Sequence, residues 1–237
     1  MKTLNEINKF LLHENYYAPG VMLNDPQPMP GQSQAVCVYR ELYKTELPKY
    51  TMVLPIHNQE DIIVRNMKTY FEHTTGTYEL IIILDNCVDN TEREVLSFLN
   101  SLKSSPPYVG VIVIRQDTPI YETPCDNIAF RLARGTYALH LQPDMQMVET
   151  GYNESITRPF EKFDDVLGVS GRGCHTFRPM HGPGKLGGKM ENPLEPEWDK
   201  QRDTFFVGET CMRGPLLLHT ERSVSYTHLT LPTTPYV

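Results

Sequence analysis

Three short polar groups in this chain can do chemistry together. They are Pro55-Ile56-His57-Asn58-Gln59-Glu60, Asp85-Asn86-Cys87-Val88-Asp89-Asn90-Thr91 and Gln142-Pro143-Asp144. Each follows an apolar run. A carboxylate binds hard divalent cations through oxygen. It can also accept a hydrogen bond from a ring N–H. A divalent cation so held neutralises clustered phosphate charge. Each group also has a plain structural reading. Asp, Asn and Thr after a strand make turns and cap helices, and Pro143-Asp144 alone makes a turn.

The elements that must position these groups are legible as an alternation. Tyr50 to Ile56 is a short apolar run suited to a buried strand. Gln59 to Phe71 has Ile63, Met67, Tyr70 and Phe71 at helical spacing, and Gly76 ends that region. Tyr78 to Leu84 is nearly continuous in apolar residues, as expected for a strand covered on both faces. Asn90 and Thr91 are expected to cap a helix carrying Val95, Phe98, Leu99 and Leu102 on one side. Val109 to Ile114 is a third strand, Asp126 to Arg134 a short helix, and Tyr137 to Leu141 a fourth strand. This order predicts an α/β fold, a mostly parallel Rossmann-like sheet with helices on both faces. Ligands of such sheets bind at the C-terminal ends of the strands, where all three polar groups fall. Residues 1–49, with Pro19, Pro26, Pro28 and Pro30, read as an N-terminal extension partly ordered against a domain spanning 50–223.

In order, these groups resemble the family-two GT-A glycosyltransferases. The family's P-x-x-N-E-like element corresponds to Pro55-Ile56-His57-Asn58-Gln59-Glu60. Its D-x-S-x-D-x-T-like turn corresponds to Asp85 through Thr91, with Cys87 for the usual Ser. Its N-x-G-x-x-x-A-x-G helix corresponds to Asn127, Ala129, Ala133 and Gly135, with Ala129 for a glycine. Its metal-binding D-x-D corresponds to Gln142-Pro143-Asp144. The resemblance covers about Tyr50 to Leu218. It implies a GT-A fold and an enzyme that moves a sugar from a nucleotide-diphosphate sugar to an acceptor hydroxyl of a glycan, lipid or protein, with inversion and with Mg2+ or Mn2+. It implies donor contacts from Pro55, Ile56, His57, Asn58, Glu60, Asp85, Asn86, Asp89, Asn127, Gln142 and Pro143. Asp85 would meet the base and Asp144 the metal. Gln142 adds no charge where the family has a carboxylate; its carbonyl can still reach a ribose or a metal-bound water.

Phe205 to Leu218 resembles the family's next element, a strand followed by Arg213-Gly214-Pro215 and an apolar run. The catalytic carboxylate of the family comes later, as an acidic pair, and would deprotonate the acceptor. Glu209 and Glu221 are the last carboxylates, and neither fits, so the catalytic base is unknown. Val224 to Thr233 (VSYTHLTLPT) reads as the translation of a sequencing-library transposase adapter. The expectation is a domain truncated near Ser223, with a non-native tail at 224–237 that makes few native-like contacts. The truncated chain is then expected to bind donor and to lack turnover.

Other readings are weaker. The net charge of -7 argues against nucleic-acid binding through a broad basic surface. The five scattered cysteines show no C-x-x-C pair, which points to a reducing compartment rather than a disulfide framework. No signal peptide and no bilayer-spanning apolar run is evident, so the expected location is cytoplasmic or peripheral to a membrane. Gly182 to Lys189 fails the phosphate-loop pattern at Pro183 and Met190 and reads as a mobile loop. Lys185 or Arg178 could touch a phosphate from it. Cys174, His175 and His181 lack a fourth zinc ligand. Trp198 reads as loop packing. Asn153-Glu154-Ser155 fits a glycosylation sequon without a secretory context. A nucleotidyltransferase would need a Gly-rich basic loop where Pro55 to Asn58 stand. A non-catalytic nucleotide-sugar-binding protein is the remaining alternative, favoured by Gln142 and the missing base.

Overall fold

Four apolar runs become the centre of a sheet. In the computed structural model, which describes residues 35–164, 166–171, 174–179, 186–191, 210–211 and 213–225, the chain begins with β1 (Ala35–Leu42). There follow β2 (Tyr50–Ile56), helix α1 (Ile63–His73), β3 (Tyr78–Asp85), α2 (Thr91–Ser101), β4 (Gly110–Gln116), α3 (Glu122–Leu132) and β5 (Tyr137–His140). Two short helices come next, α4 (Tyr152–Ser155) and α5 (Arg158–Lys162). The remaining elements are β6 (Gly168–Ser170), β7 (Cys174–Pro179), β8 (Leu186–Glu191), β9 (Thr210–Cys211), β10 (Leu216–His219) and α6 (Thr220–Ser225).

Among the described residues the main sheet has seven strands in the order β1-β4-β3-β2-β5-β10-β6. β2, β3, β4 and β5 run parallel. β1 closes one side antiparallel to β4, and β10 lies antiparallel between β5 and β6. A strand covered on both faces alternates its side chains between two cores. Met52, Leu54, Leu80, Ile82, Val111 and Val113 point to the face covered by Ile63, Met67 and Tyr70 of α1 and Val95 and Leu99 of α2. Val53, Ile81, Ile83, Ile112 and Ile114 point to the other, covered by Cys125, Ile128 and Ala129 of α3. Each such aliphatic side chain, fully buried, contributes about 1.5–3 kcal/mol. The α/β sheet with helices on both faces is therefore what the alternation dictates.

Several boundaries differ from the sequence reading. The extension contains a strand, β1, in register with β4. α1 starts at Ile63 rather than Gln59, because residues 59–62 form a turn closed on the Gln59 carbonyl. α3 starts at Glu122 rather than Asp126. Pro124 does not prevent this, since first-turn N–H groups have no helical partner to lose. The helix cap expected from Asn90 is absent. Asp89 Oδ1 accepts the Thr91 N–H at 2.9 Å instead, and the Thr91 hydroxyl accepts the Gln59 N–H at 2.7 Å.

The Gly182–Lys189 loop reading gives way in its second half to β8, which pairs with β7; a small three-stranded sheet, β8-β7-β9, results. Cys174, His175 and Arg178 lie on β7, with Cys174 opposite Cys211. His181, Lys185, Trp198 and Glu209 lie outside the described residues, as does the tail beyond Ser225. α6 itself runs from Thr220 across the expected junction at 223 and 224. The sequon residue Asn153 is fully buried, its amide donating to the Thr75 carbonyl at 2.9 Å and accepting from the Thr75 N–H at 3.1 Å. That pairing closes it to modification in the folded chain.

Candidate functional site

Strand order reverses between β2 and β5. The chain builds outward from β2 to β3 and β4, then returns to the opposite side of β2 for β5. At such a switch point the loops leave the C-terminal ends in opposite directions and open a crevice. His57 and Asn58 follow β2, Asp85 to Asp89 end and follow β3, and Gln142 to Asp144 follow β5. All three sequence-predicted groups therefore lie at the C-terminal ends of neighbouring strands, β3, β2 and β5.

The first two loops are stitched together. His57 is exposed, and its Nδ1 lies 2.6 Å from the Asp85 carbonyl. Asn58 Oδ1 accepts the Val88 N–H at 2.9 Å, which turns its amide nitrogen toward His57 Nε2 at 3.1 Å. An amide N–H donates, so Nε2 accepts, and Nδ1 carries the proton that it donates to Asp85. Farther out, Asn90 N–H donates to Glu60 Oε2 at 2.7 Å and Glu60 N–H to Asp89 Oδ2 at 3.2 Å. Slight burial raises the pKa of the Asp89 carboxyl, but bonds from Thr91 and Glu60 outweigh it and hold the group below the usual range. Cys87 Sγ donates to the Ile56 carbonyl at 3.4 Å. Pro55 and Ile56 end β2 with buried side chains.

Asp85 is 5% exposed, and its carboxylate spans to the loop after β4. Oδ1 accepts the Ile120 N–H and Oδ2 the Tyr121 N–H, both at 2.8 Å. Burial raises its pKa, partly opposed by these two N–H groups and by His57. Tyr121 sits at φ 64 and ψ 173, a region open in practice only to glycine. Holding a tyrosine there costs about 1–3 kcal/mol. Asn58 and Asn86 both have φ 48, which Asn tolerates better. Every non-glycine residue of positive φ among the described residues thus belongs to these strand-end loops.

The third loop is held by α1. Tyr70 hydroxyl donates to the Gln142 and Met145 carbonyls at 2.7 and 2.8 Å, and Asn66 amide donates to the Pro143 carbonyl at 2.7 Å. Both side chains are buried. Gly214, at φ 63, presses on the same loop. A Cβ there would come within 2.6 Å of Gln142 Oε1 and would collide with the Met145 sulfur. Asp144 remains exposed at the loop tip. Asn127 is half-buried on α3.

Sequence reasoning missed a buried ionic cluster behind this loop. His140 on β5 is 1% exposed, with Nε2 3.2 Å from Asp126 and 3.3 Å from Glu122 of α3. Arg213 Nη1 pairs with Glu122 and lies 3.3 Å from Asp126, and its Nη2 donates to the Thr123 hydroxyl at 2.8 Å. Burial lowers the His140 pKa, but Asp126 and Glu122 overcome it and push it up to about 9. The imidazole is therefore charged at neutral pH. The signal in the sequence was a histidine inside the apolar strand Tyr137 to Leu141, which demands a buried partner.

Among the described residues no group of three His, Cys, Asp or Glu side chains is arranged to hold a metal. A Mg2+ or Mn2+ ion takes about six oxygen ligands. The exposed Asp144 carboxylate can supply one and leave the others to phosphate oxygens and water. These residues fit an ion bound together with a phosphate ligand rather than a pre-formed cage. No described helix is long and apolar enough to cross a membrane.

No protein-family model matches the sequence, and no curated protein matches it. Solved structures do resemble it. The mannosyltransferase PcManGT from Pyrobaculum calidifontis, in complex with GDP-Man and Mn2+, is 16% identical, with 57% of this chain and 38% of that chain covered and a TM-score of 0.47. S. aureus TarS 1–349 in complex with UDP-GlcNAc is 15% identical over 59% of this chain and 37% of that one, with a TM-score of 0.41. The chain thus spans less than half the length of the solved structures it matches.

Proposed function

We propose that this chain is the donor-binding part of a GT-A-type glycosyltransferase of family two, one that moves a sugar from a nucleotide-diphosphate sugar to an acceptor hydroxyl with inversion. The observation that carries the reading is the placement of His57, Asn58, Asp85 and Asp144 at the C-terminal ends of the neighbouring strands β3, β2 and β5, beside the switch point between β2 and β5. In this reading the base lies on the Asp85 side, toward the loop after β4, and the diphosphate on the Asp144 side. Asn58 and Asp89 keep the first two loops in register for the nucleoside, with Glu60, Asn86 and Asn127 around it. Pro55 and Ile56 underlie the nucleoside crevice. Tyr70 and Asn66 hold Gln142, Pro143 and Asp144 in place before ligand arrives, so less ordering entropy is lost on binding. A Mg2+ or Mn2+ ion held by Asp144 would offset the charge of the diphosphate, including the charge that builds as the sugar departs. No general base is assigned: Glu122 and Asp126 are committed to His140 and Arg213.

A second reading, a nucleotide-sugar-binding protein without turnover, is favoured by Gln142, which brings no charge to the metal loop. Both readings agree on donor binding and on a cytoplasmic or membrane-peripheral location. Calorimetric titration of UDP- and GDP-sugars with and without Mn2+ tests them. Binding that Mn2+ strengthens about tenfold or more is expected, from the charge it offsets. No binding of any nucleoside diphosphate sugar would overturn the proposal. Release of free or transferred sugar would decide for the enzyme.

A further inference from the structure

Tyr121 has no role in the assignment above, yet its backbone is held in a conformation that disfavours it. It follows β4 directly before α3, at φ 64 and ψ 173. Packing does not explain a tyrosine there, because the residue is 53% exposed. A glycine would adopt this backbone without strain. The strain is sustained from below by the Asp85 carboxylate, which takes the N–H groups of both Ile120 and Tyr121. On its other flank Asp85 carries a second exposed ring, His57, held to its carbonyl at 2.6 Å. Two residues with exposed rings are thus tied to Asp85, Tyr121 through its N–H to the carboxylate and His57 through Nδ1 to the carbonyl. Flat, amphipathic rings beside a buried acceptor suit a planar heterocycle that bears N–H groups.

We infer that Tyr121 presents its ring as the stacking face for the nucleobase of a nucleoside diphosphate, with Asp85 fixing the loop that aims it and His57 bounding the opposite side. The inference rests on the donor-binding reading and adds a residue that sets affinity for the base. Stacking is tolerant of base identity, since every base offers a π-face. Tyr121 therefore strengthens uracil and guanine nucleotides alike.

The test uses the full chain with Tyr121→Ala, Tyr121→Phe and Tyr121→Gly, titrated in Mn2+ with UDP, GDP and inorganic pyrophosphate. The expected result is about tenfold weaker UDP and GDP binding for Tyr121→Ala and Tyr121→Gly. Pyrophosphate binding should not change, and Tyr121→Phe should match the parent. Tyr121→Gly should also melt at or above the parent temperature, because the strain is released while affinity is lost; this keeps the test readable should Tyr121→Ala fold poorly. Parent-like UDP and GDP binding by Tyr121→Ala and Tyr121→Gly would overturn the stacking role alone. An equal loss of pyrophosphate binding would also overturn it, since the loop would then act on the whole site. A parent chain that binds neither nucleotide would overturn the donor reading, and the stacking role with it.

Discussion

The two ends of the parallel strands use polar residues in opposite ways. At the N-terminal end, Glu79 is 2% exposed and fully engaged. It accepts the Thr51 hydroxyl at 2.8 Å, the Arg134 N–H at 2.7 Å and the Arg134 Nε–H at 2.7 Å. The Thr51 hydroxyl in turn accepts the Gly135 N–H at 2.9 Å. Gly135 is required, because a Cβ would stand 2.6 Å from the backbone of Tyr50 and Thr51. At the C-terminal end His57 and Asp144 are exposed, and Asn58, Asn86 and Tyr121 take positive φ. The closed end is held by the hydrogen bonds that join Glu79, Thr51, Arg134 and Gly135. The open end holds strain and spare hydrogen-bonding capacity. Strain and spare valence are what a binding edge keeps and a structural edge removes.

The sharpest way to break this contrast is at the closed end. Glu79→Ala strands the Arg134 side chain, which is 19% exposed. It should destabilise by about 3–5 kcal/mol in urea unfolding, with donor affinity unchanged in whatever fraction stays folded. A small effect would mean that the closed end is not structural. The next largest effect sits behind the loop that carries Asp144. His140 has a folded pKa of about 9 against the ordinary 6.5. Its ionic contribution is complete below about pH 6.5 and is lost as the pH rises through about 9, up to about 3 kcal/mol. Urea midpoints should fall across that window, and His140→Gln should flatten the fall.

Asp85→Asn exchanges an acceptor for an amide N–H facing a backbone N–H. It should cost about 1–3 kcal/mol and weaken nucleoside diphosphates, because it joins the two regimes: a buried clasp for a strained, exposed loop. The smallest stability effect is at the open end. Asp144→Asn alters an exposed tip and should stay within about 0.5 kcal/mol of the parent. Even so, it should remove the strengthening of donor binding by Mn2+ in calorimetry.

The fold was legible where burial is two-sided. Tyr50 to Ile56 and Tyr78 to Leu84 are apolar except at Thr51 and Glu79, because each strand faces two cores. β1 escaped notice because Arg40 and Glu41 interrupt it and an edge strand buries only part of itself. The second half of the glycine-rich run forms a strand, because glycine marks loops and hairpin strands alike. The placement of His57, Asp85 and Asp144 at strand ends was legible from the apolar runs that precede them. The sequence could not disclose that Asp85 is bonded to residues 35 and 36 positions away, or that His140, Asp126 and Arg213 meet. Those contacts depend on which strands become neighbours, and β10 returns beside β5 from more than seventy residues downstream.

Amide hydrogen exchange with and without a saturating UDP- or GDP-sugar and Mn2+ tests the central claim most directly, since it reads every loop at once. The account predicts new protection at residues 57–60, 85–91, 117–121 and 142–147, with little change around Thr51, Glu79 and Arg134. Protection at the Glu79 end, or none at the C-terminal loops under conditions where the ligand is bound, would contradict it.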